Sequence, residues 1–409
     1  MGLLVVIPTW HLTYHLWLYR CLRRLQPHIS IAAACTPGDP QWSAGFRTVN
    51  LDEPAPLWER ALRRTGIPGD LFQPVRQRRL EQAVRDSSVD AVLIHFLDFA
   101  LKFSPVWEQT GKPIFVHCHG PMDINIDFRD HRQPDQTALR EGYRDAVVRF
   151  SKRVVLIANS HWTAGCLTKM GAPSDRIVVK HLGVPVPDRP PVRKGDSNGL
   201  NILYLNQLVD WKGPDRTIQA FELACSRGLD GTLTIAGDGP LRPMCELTAA
   251  RSPYASRIRL AGEVGPADAD RLRAQADCFT AHHCEGEISH AQEAFGVSVV
   301  EAMAAALPVV TGRSGALSET VEHGRTGWLV EPGDIEAHAD ALLRLSRDPA
   351  LRSSMGEAGW LQAKERFSLE GEVEKLLGII YPSARSERAV GGDRQAVAAG
   401  YPEPARRKL

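Results

Sequence analysis

Residues Glu285-Gly-Glu-Ile-Ser-His-Ala-Gln-Glu293-Ala-Phe295-Gly296-Val297-Ser298-Val-Val-Glu301-Ala-Met-Ala-Ala-Ala306-Leu-Pro308-Val-Val310 decide the fold. From Val297 to Ala306 the chain is apolar nearly all round, which predicts a helix buried inside an α/β layer. Pro308 stops it, and Val309-Val310-Thr311 reads as a short strand of a parallel sheet. Gly296 lets a ligand approach the backbone where the helix begins, and there the free N–H groups and the positive dipole end suit a phosphate. Glu293 lies in the loop before the helix and Glu301 about two turns inside it. One carboxylate can therefore meet each end of an elongated ligand. Hydroxyls, then phosphate, then hydroxyls is the layout of a nucleotide sugar. A capped core helix with two solvated glutamates satisfies the same spacing.

The chain has 409 residues, enough for two full cores, and the charged fraction and apolar content of an ordinary water-soluble protein. A formal net charge of +1 argues against a dedicated nucleic-acid binder. The eight cysteines form no Cys-x-x-Cys and no zinc-finger spacing with histidine, so they read as small buried residues in a reducing compartment. Met1-Gly-Leu-Leu-Val-Val-Ile-Pro8 is short for a signal sequence and no apolar run has the length of a membrane span, which gives a cytoplasmic expectation.

Apolar runs at Leu3–Ile7, Ile29–Ala34, Ala91–His95, Ile114–Cys118 and Val154–Ala158 read as strands. Helical patterns fall at Leu71–Val84, Gln136–Phe150 and His161–Met170. This alternation predicts a doubly wound α/β sheet with ligands at the carboxyl ends of its strands. The stretch Gly183 to Gly199 concentrates prolines and polar breakers and separates two such patterns. The expected organisation is a first domain over 1–183, a linker over 184–200 and a second domain over 201–368. A last helix over 369–381 and a disordered tail over 382–409 complete it. In the second half, strands are expected at Asn201–Leu205, Thr232–Ala236, Asp277–Ala281 and Val309–Thr311, with helices at Asp215–Ala224, Ile335–Ser346, Pro349–Glu365 and Leu369–Ile380.

The helix Leu12 to Leu25 is amphipathic and carries Arg20, Arg23 and Arg24. It packs on the sheet with its arginines near the helix C-terminus, or it rests on an anionic membrane beside a lipid-linked acceptor. His282-His283, with Glu285, Glu287 and His290 nearby, suggests a metal. Adjacent strand side chains point to opposite faces, however, so the ligand geometry is poor and no metal is expected there.

The Glu293 to Glu301 segment resembles the Glu-x7-Glu signature of retaining glycosyltransferases of GT-B fold, the family-four or glycosyl transferases group 1 type. The likeness continues through Leu307-Pro-Val-Val, Ser314-Gly-Ala-Leu-Ser-Glu319-Thr-Val and Gly324-Arg-Thr-Gly327-Trp-Leu-Val-Glu-Pro-Gly333-Asp. His117-Cys-His119-Gly120-Pro-Met-Asp123 resembles the family's His-Gly-x-x-Asp turn, with His119 at the matching histidine; His117 is read into the opposite layer. Asn159-Ser160 matches an acceptor-side loop, with Ser160 equally a helix N-cap. Gly237-Asp-Gly-Pro240 matches a structural turn, and Leu260-Ala-Gly262-Glu-Val264 a loop edging the base.

The resemblance implies two Rossmann-like domains facing a cleft, the last helix crossing back to the first, and sugar transfer from a nucleotide-sugar donor with retained anomeric configuration. It gives Glu293 the sugar hydroxyls, Glu301 the ribose hydroxyls, and His119 the face of the reacting carbon. The diphosphate falls to Lys212 and the amides of Val297 and Ser298. Phe295, Gly296, Gln207, Arg313, Ser314, Gly315 and Val264 complete the expected donor site. Neither a metal nor another cofactor is implied, and the expected acceptor is a glycan, a lipid-linked glycan or a small molecule.

The chain departs from the pattern at two places. Trp10, His11 and His15 crowd the position of the family's glycine-rich loop. Gln207 stands where an arginine is usual, so a donor remains without its charge; either Arg313 replaces it or, with Arg313 solvated, the enzyme is slow or does something else. Losing a preorganised donor costs about 3 kcal/mol of transition-state stabilisation. A nucleotide-sugar epimerase on the same fold, and a catalytically weak nucleotide-sugar-binding protein, are the alternative functions.

Overall fold

The computed structural model describes residues 1–9, 12–36, 46–51, 73–124, 142–192 and 199–382. Trp10 and His11, the beginnings of the expected helices at 71 and 136, part of the linker and the expected tail from 383 lie outside these residues. Seven parallel strands, β1 (Gly2–Thr9), β2 (Ser30–Thr36), β3 (Arg47–Asn50), β4 (Ala91–His95), β5 (Ile114–Cys118), β6 (Val155–Ala158) and β7 (Ile177–Val179), form the first sheet, ordered β3-β2-β1-β4-β5-β6-β7. Six more, β8 (Leu200–Leu205), β9 (Gly231–Ala236), β10 (Ile258–Gly262), β11 (Cys278–Ala281), β12 (Val309–Gly312) and β13 (Gly327–Val330), form the second, ordered β10-β9-β8-β11-β12-β13. Both orders reverse direction after the first strand, at β1/β4 and β8/β11, and such switch points open a crevice at the strands' carboxyl ends.

Continuous apolar runs announce the central strands because both faces are covered. On β1, Leu3, Val5 and Ile7 enter one cluster while Leu4 and Val6 enter the cluster on the other face. The sheet edges are β3, β7, β10 and β13. Three of them, β3, β7 and β10, are only partly covered, and β3 and β10 carry an arginine within the strand. The Leu260–Val264 stretch expected as a loop is thus the end of β10 followed by a turn.

The central helix runs Val297–Ala304, two residues shorter than its apolar stretch predicts. Ala306 adopts a φ of 54°, and Leu307 N–H closes on Ala302 O at 3.0 Å, which turns the chain into β12 before Pro308 is reached.

The helix Leu12–Leu25 buries Leu18, Cys21, Leu22 and Leu25 in the first domain's outer cluster. Leu369, Val373, Leu376 and Ile380 of the Leu369–Ile380 helix join that cluster, so the last helix does cross back to the first sheet. The crossing is tied by Val184 N–H to Phe367 O at 2.9 Å and Leu369 N–H to Val184 O at 2.9 Å. Beneath it, Lys180 and Glu372 form an ion pair whose side chains are 0% and 2% exposed, and Gly183 N–H donates to the same carboxylate at 2.9 Å.

Removing one member of a buried ion pair strands the other charge, at about 3–5 kcal/mol. Glu372→Ala is therefore expected to lower unfolding free energy by that amount in urea titration; a loss below about 1 kcal/mol, the scale of an exposed pair, would contradict the packing described.

Candidate functional site

Three loops of the second domain converge on the start of the Val297–Ala304 helix. Gly296, at φ 85°, is its N-cap, and a β-carbon there would lie 2.7 Å from Leu317 Cδ2. Asn206-Gln207-Leu208 follows β8 and is clamped by the Gly237-Asp-Gly turn. A β-carbon on Gly237 would sit 1.9 Å from Asn206 O, and one on Gly239 2.5 Å from Leu208 O. Ser298 Oγ, on the helix's first turn, meets Asn206 Oδ1 at 2.6 Å, which locks this loop to the helix. The loop after β8 continues to Lys212. Gly213, at φ 54°, lets it pass against His282, whose carbonyl oxygen a β-carbon would meet at 2.1 Å.

Lys212 Nζ donates to Glu293 Oε2, and Gly296 N–H donates to Glu293 Oε1 at 2.9 Å. His283 Nε2 lies 3.3 Å from Oε2, while its Nδ1 is 2.7 Å from Thr311 Oγ1. Burial pushes the Glu293 carboxyl up, but the Lys212 ammonium and His283 outweigh it and hold the group well below the usual carboxylate range. Glu293 is therefore a buried carboxylate, ionised at neutral pH.

Glu301, further into the helix, is held by two arginines. Arg20 Nη1 from the first domain donates to Oε1 at 2.8 Å, and Arg273 Nη1 from the Pro266–Gln275 helix donates to Oε2 at 3.1 Å. Arg24 pairs with Glu370 of the crossing helix at 2.9 Å. Two of the three arginines that suggested a membrane-facing helix thus make intramolecular ion pairs.

Across the cleft, β5 ends in the turn that carries His119. Asp123, fully buried, accepts His119 N–H at 2.7 Å and Leu97 N–H at 2.8 Å, and Asn159 Nδ2 donates to His119 O at 3.1 Å. The His119 ring packs 4.5 Å from Trp17 and 4.0 Å from His117, centroid to centroid. His117 therefore shares the His119 side of the sheet rather than the opposite layer, as a spacing of two along an extended chain requires. Ser160 is the N-cap of the His161–Lys169 helix, its Oγ accepting from Thr163 N–H at 3.0 Å.

These groups surround one cavity of about 450 Å³. His15, Trp17, His119 and Asn159 line it from the first domain. Of the expected donor residues, Gln207, Lys212, Val264, Glu293, Phe295, Gly296, Val297, Ser298 and Glu301 line it from the second. Arg313, Ser314 and Gly315 are not brought to it. Arg313 is paired with Glu331 at 2.8 Å, Ser314 Oγ donates to Cys284 O at 3.0 Å, and a β-carbon on Gly315 would lie 2.0 Å from Glu293 O. Their loop braces Glu293 from behind, and Gln207's missing charge is not supplied by Arg313 in this arrangement.

Sequence reading missed the supports. Asp210 accepts Ile288 N–H, Ser289 N–H and Ser289 Oγ–H between 2.8 and 2.9 Å, which fixes the loop leading to Glu293. Glu319 reaches across the cleft to accept His161 N–H at 2.8 Å and Trp162 N–H at 2.7 Å, capping a helix of the other domain. His282 and His283, just past β11, point apart: His282 Nδ1 meets His338 Nδ1 at 2.8 Å, whereas His283 Nε2 lies 3.3 Å from Glu293 Oε2.

Residues 190–361 match the family model described as glycosyl transferases group 1, and residues 18–186 match that of glycosyltransferase family 4. An amylovoran biosynthesis glycosyltransferase of Erwinia amylovora is 29% identical over 271 residues, covering 64% of this chain and 63% of that protein. A GDP-mannose-dependent alpha-(1-6)-phosphatidylinositol monomannoside mannosyltransferase of Mycobacterium tuberculosis is 31% identical over 41% of this chain and 44% of its own. The matched region thus spans less than two thirds of the length of these relatives. The crystal structure of Anabaena HepE in complex with UDP superposes with a TM-score of 0.70 at 18% identity, over 93% of this chain and 100% of that one. Sucrose-phosphate synthase of Thermosynechococcus elongatus does so with a TM-score of 0.72 at 18% identity, over 95% and 100%. The fold is GT-B: two Rossmann-like domains about a cleft.

Because the folded state lowers the Glu293 pKa, its ionised carboxylate adds stability that is complete above the unfolded value near 4.5 and is lost as pH falls through the depressed folded value. Urea unfolding should show wild type exceeding Glu293→Gln most at pH 7, with the gap narrowing below about pH 4.5. A gap independent of pH would mean that the carboxylate is not held ionised by Lys212 and His283.

Proposed function

The chain belongs to the glycosyl transferases group 1 family, and from that premise we propose that it moves a sugar from a nucleoside-diphosphate donor to a glycan, lipid-linked or small-molecule acceptor with retained anomeric configuration. The observation that carries the reading is the pair Glu293 and Glu301, both facing one cavity on either side of the Val297–Ala304 helix start. The diphosphate lies on the amides of Val297 and Ser298, where the helix dipole favours negative charge, with Lys212 beside it. Lys212 carries three donors, so it can keep Glu293 and still meet a phosphate oxygen. Glu301 accepts the ribose hydroxyls. A carboxylate has about four acceptor directions, and the two arginines use one on each oxygen.

In this reading the acceptor hydroxyl attacks the anomeric carbon on the face that the diphosphate leaves. The new C–O bond forms as the bond to phosphate breaks, and the hydroxyl proton passes to the departing phosphate oxygen. His119 and Glu293 hold the sugar at the reacting carbon. Charge on the leaving group is met by Lys212 and helix amides, and no metal enters the scheme. UDP in the HepE complex supports a nucleoside-diphosphate donor, and the phosphatidylinositol mannosyltransferase relative makes a lipid-linked acceptor reasonable. Among the described residues no helix is long and apolar enough to cross a membrane, so such an acceptor would be reached at a membrane surface.

Gln207 favours a second reading. The cleft keeps a neutral amide where the resembled pattern has a cation, which would leave a protein that binds nucleotide sugar and turns it over slowly.

Glu301→Ala should weaken UDP-sugar or GDP-sugar binding in calorimetry by about tenfold or more with little direct effect on the bound-state rate. Glu293→Ala should slow transfer by about a hundredfold. Unchanged donor affinity in the first and unchanged turnover in the second would overturn the assignment; donor binding without turnover towards any acceptor would favour the second reading.

A further inference from the structure

Behind His119, away from the donor loops, three imidazoles meet at the carboxyl ends of β4 and β5. His95 and His117 lie opposite one another in the sheet register and are each 1% exposed. Both share the face of Leu93 and Phe115, and His119 extends the same side by one further alternation. His95 Nδ1 is 2.8 Å from His119 Nε2, and one ring nitrogen from each of the three residues lies within 4.8 Å of the other two.

The hydrogen bonding here is incomplete. The His95–His119 contact engages two of six ring nitrogens. The other four, His95 Nε2, both nitrogens of His117 and His119 Nδ1, are buried and have no hydrogen-bond partner. A buried polar group left without a partner is destabilising, so a fold that keeps four of them here calls for a further occupant.

The chemistry of that occupant follows from the surroundings. Burial pushes all three imidazoles well below their ordinary pKa, which leaves them neutral with a lone pair on each ring at neutral pH. Lys180, the nearby ammonium, is neutralised by Glu372 and does not by itself repel a cation. An all-imidazole set without carboxylates suits a borderline divalent ion of the zinc type rather than magnesium or calcium, and three histidines leave one position open.

We propose that His95, His117 and His119 form a binding site for a zinc-class divalent cation. Its occupancy ties up His119 and so inhibits sugar transfer. The inhibition rests on the function proposed above; the binding does not.

Equilibrium dialysis of the full chain against Zn²⁺, followed by metal analysis, tests the site, with Co²⁺ absorption as the spectroscopic probe. Wild type should bind one ion whose Co²⁺ spectrum shows intense tetrahedral-type bands. His117→Phe and His95→Gln should each weaken binding about tenfold or more, with thermal melting confirming that each variant is folded. The isosteric polar His95→Gln keeps the test valid if His117→Phe fails to fold. No bound metal, with the orphan nitrogens satisfied by water, overturns the site. Equal affinity and spectrum in wild type and both variants also overturns it, since the ion then sits elsewhere, for example at His161, His181 and Glu319. Zn²⁺ should lower transfer by wild type about tenfold or more, reversed by a chelator. Binding without that loss removes the inhibitory role and leaves the site, whereas failure of metal-free enzyme to transfer sugar is a failure of the function and leaves the dialysis result standing.

Discussion

A carboxylate taken out of water must be paired, and the second domain is arranged around one that is. Glu293 is 8% exposed, and its charge is held by Lys212, by the Gly296 amide and by nearby His283. Each partner belongs to a different segment: the loop after β8, the helix start and the end of β11. Satisfying one buried charge therefore fixes three loops relative to one another. The glycines follow from this constraint, because Gly213 and Gly315 stand where backbones approach too closely for a β-carbon. The cost of burying the charge is offset locally, and a preorganised cavity at a helix N-terminus is the result.

The two domains meet through contacts that also touch the cavity's frame. Arg20 reaches Glu301 from the first domain, and Glu319 reaches the backbone of His161 and Trp162 from the second. In the proposed reading, donor binding at Glu301 and the interdomain contact share atoms. In that reading a ribose that draws on the Glu301 carboxylate alters the same group that Arg20 holds, which couples substrate binding to the interdomain contact.

Much of this was readable from the chain alone, for a definable reason. The central strands are covered on both faces, so β1, β4 and β8 appear as long apolar runs, whereas the edge strands β3 and β10 carry an arginine instead. Glu293, Lys212 and His119 stand beside helix starts and strand ends, and Glu301 inside the helix, where local spacing reports position. The contacts of Arg20, Asp210 and Glu319 were not legible because their partners lie 281, 78 and 158 residues away, and hydrogen bonds at such separations leave no local pattern. The Ser314-Gly315 motif was visible but its task was not: a glycine that touches ligand and a glycine that supports the ligand's neighbour look alike in sequence.

The central claim is that one helix start presents its amides to a diphosphate while carboxylates on either side take the hydroxyls at both ends. Crystals grown with a non-transferable UDP- or GDP-sugar test it directly. The account predicts diphosphate oxygens on the amides of Val297 and Ser298, ribose hydroxyls on Glu301 and sugar hydroxyls near Glu293. Nucleotide bound outside this cavity, or bound within it with both carboxylates uncontacted, would contradict it.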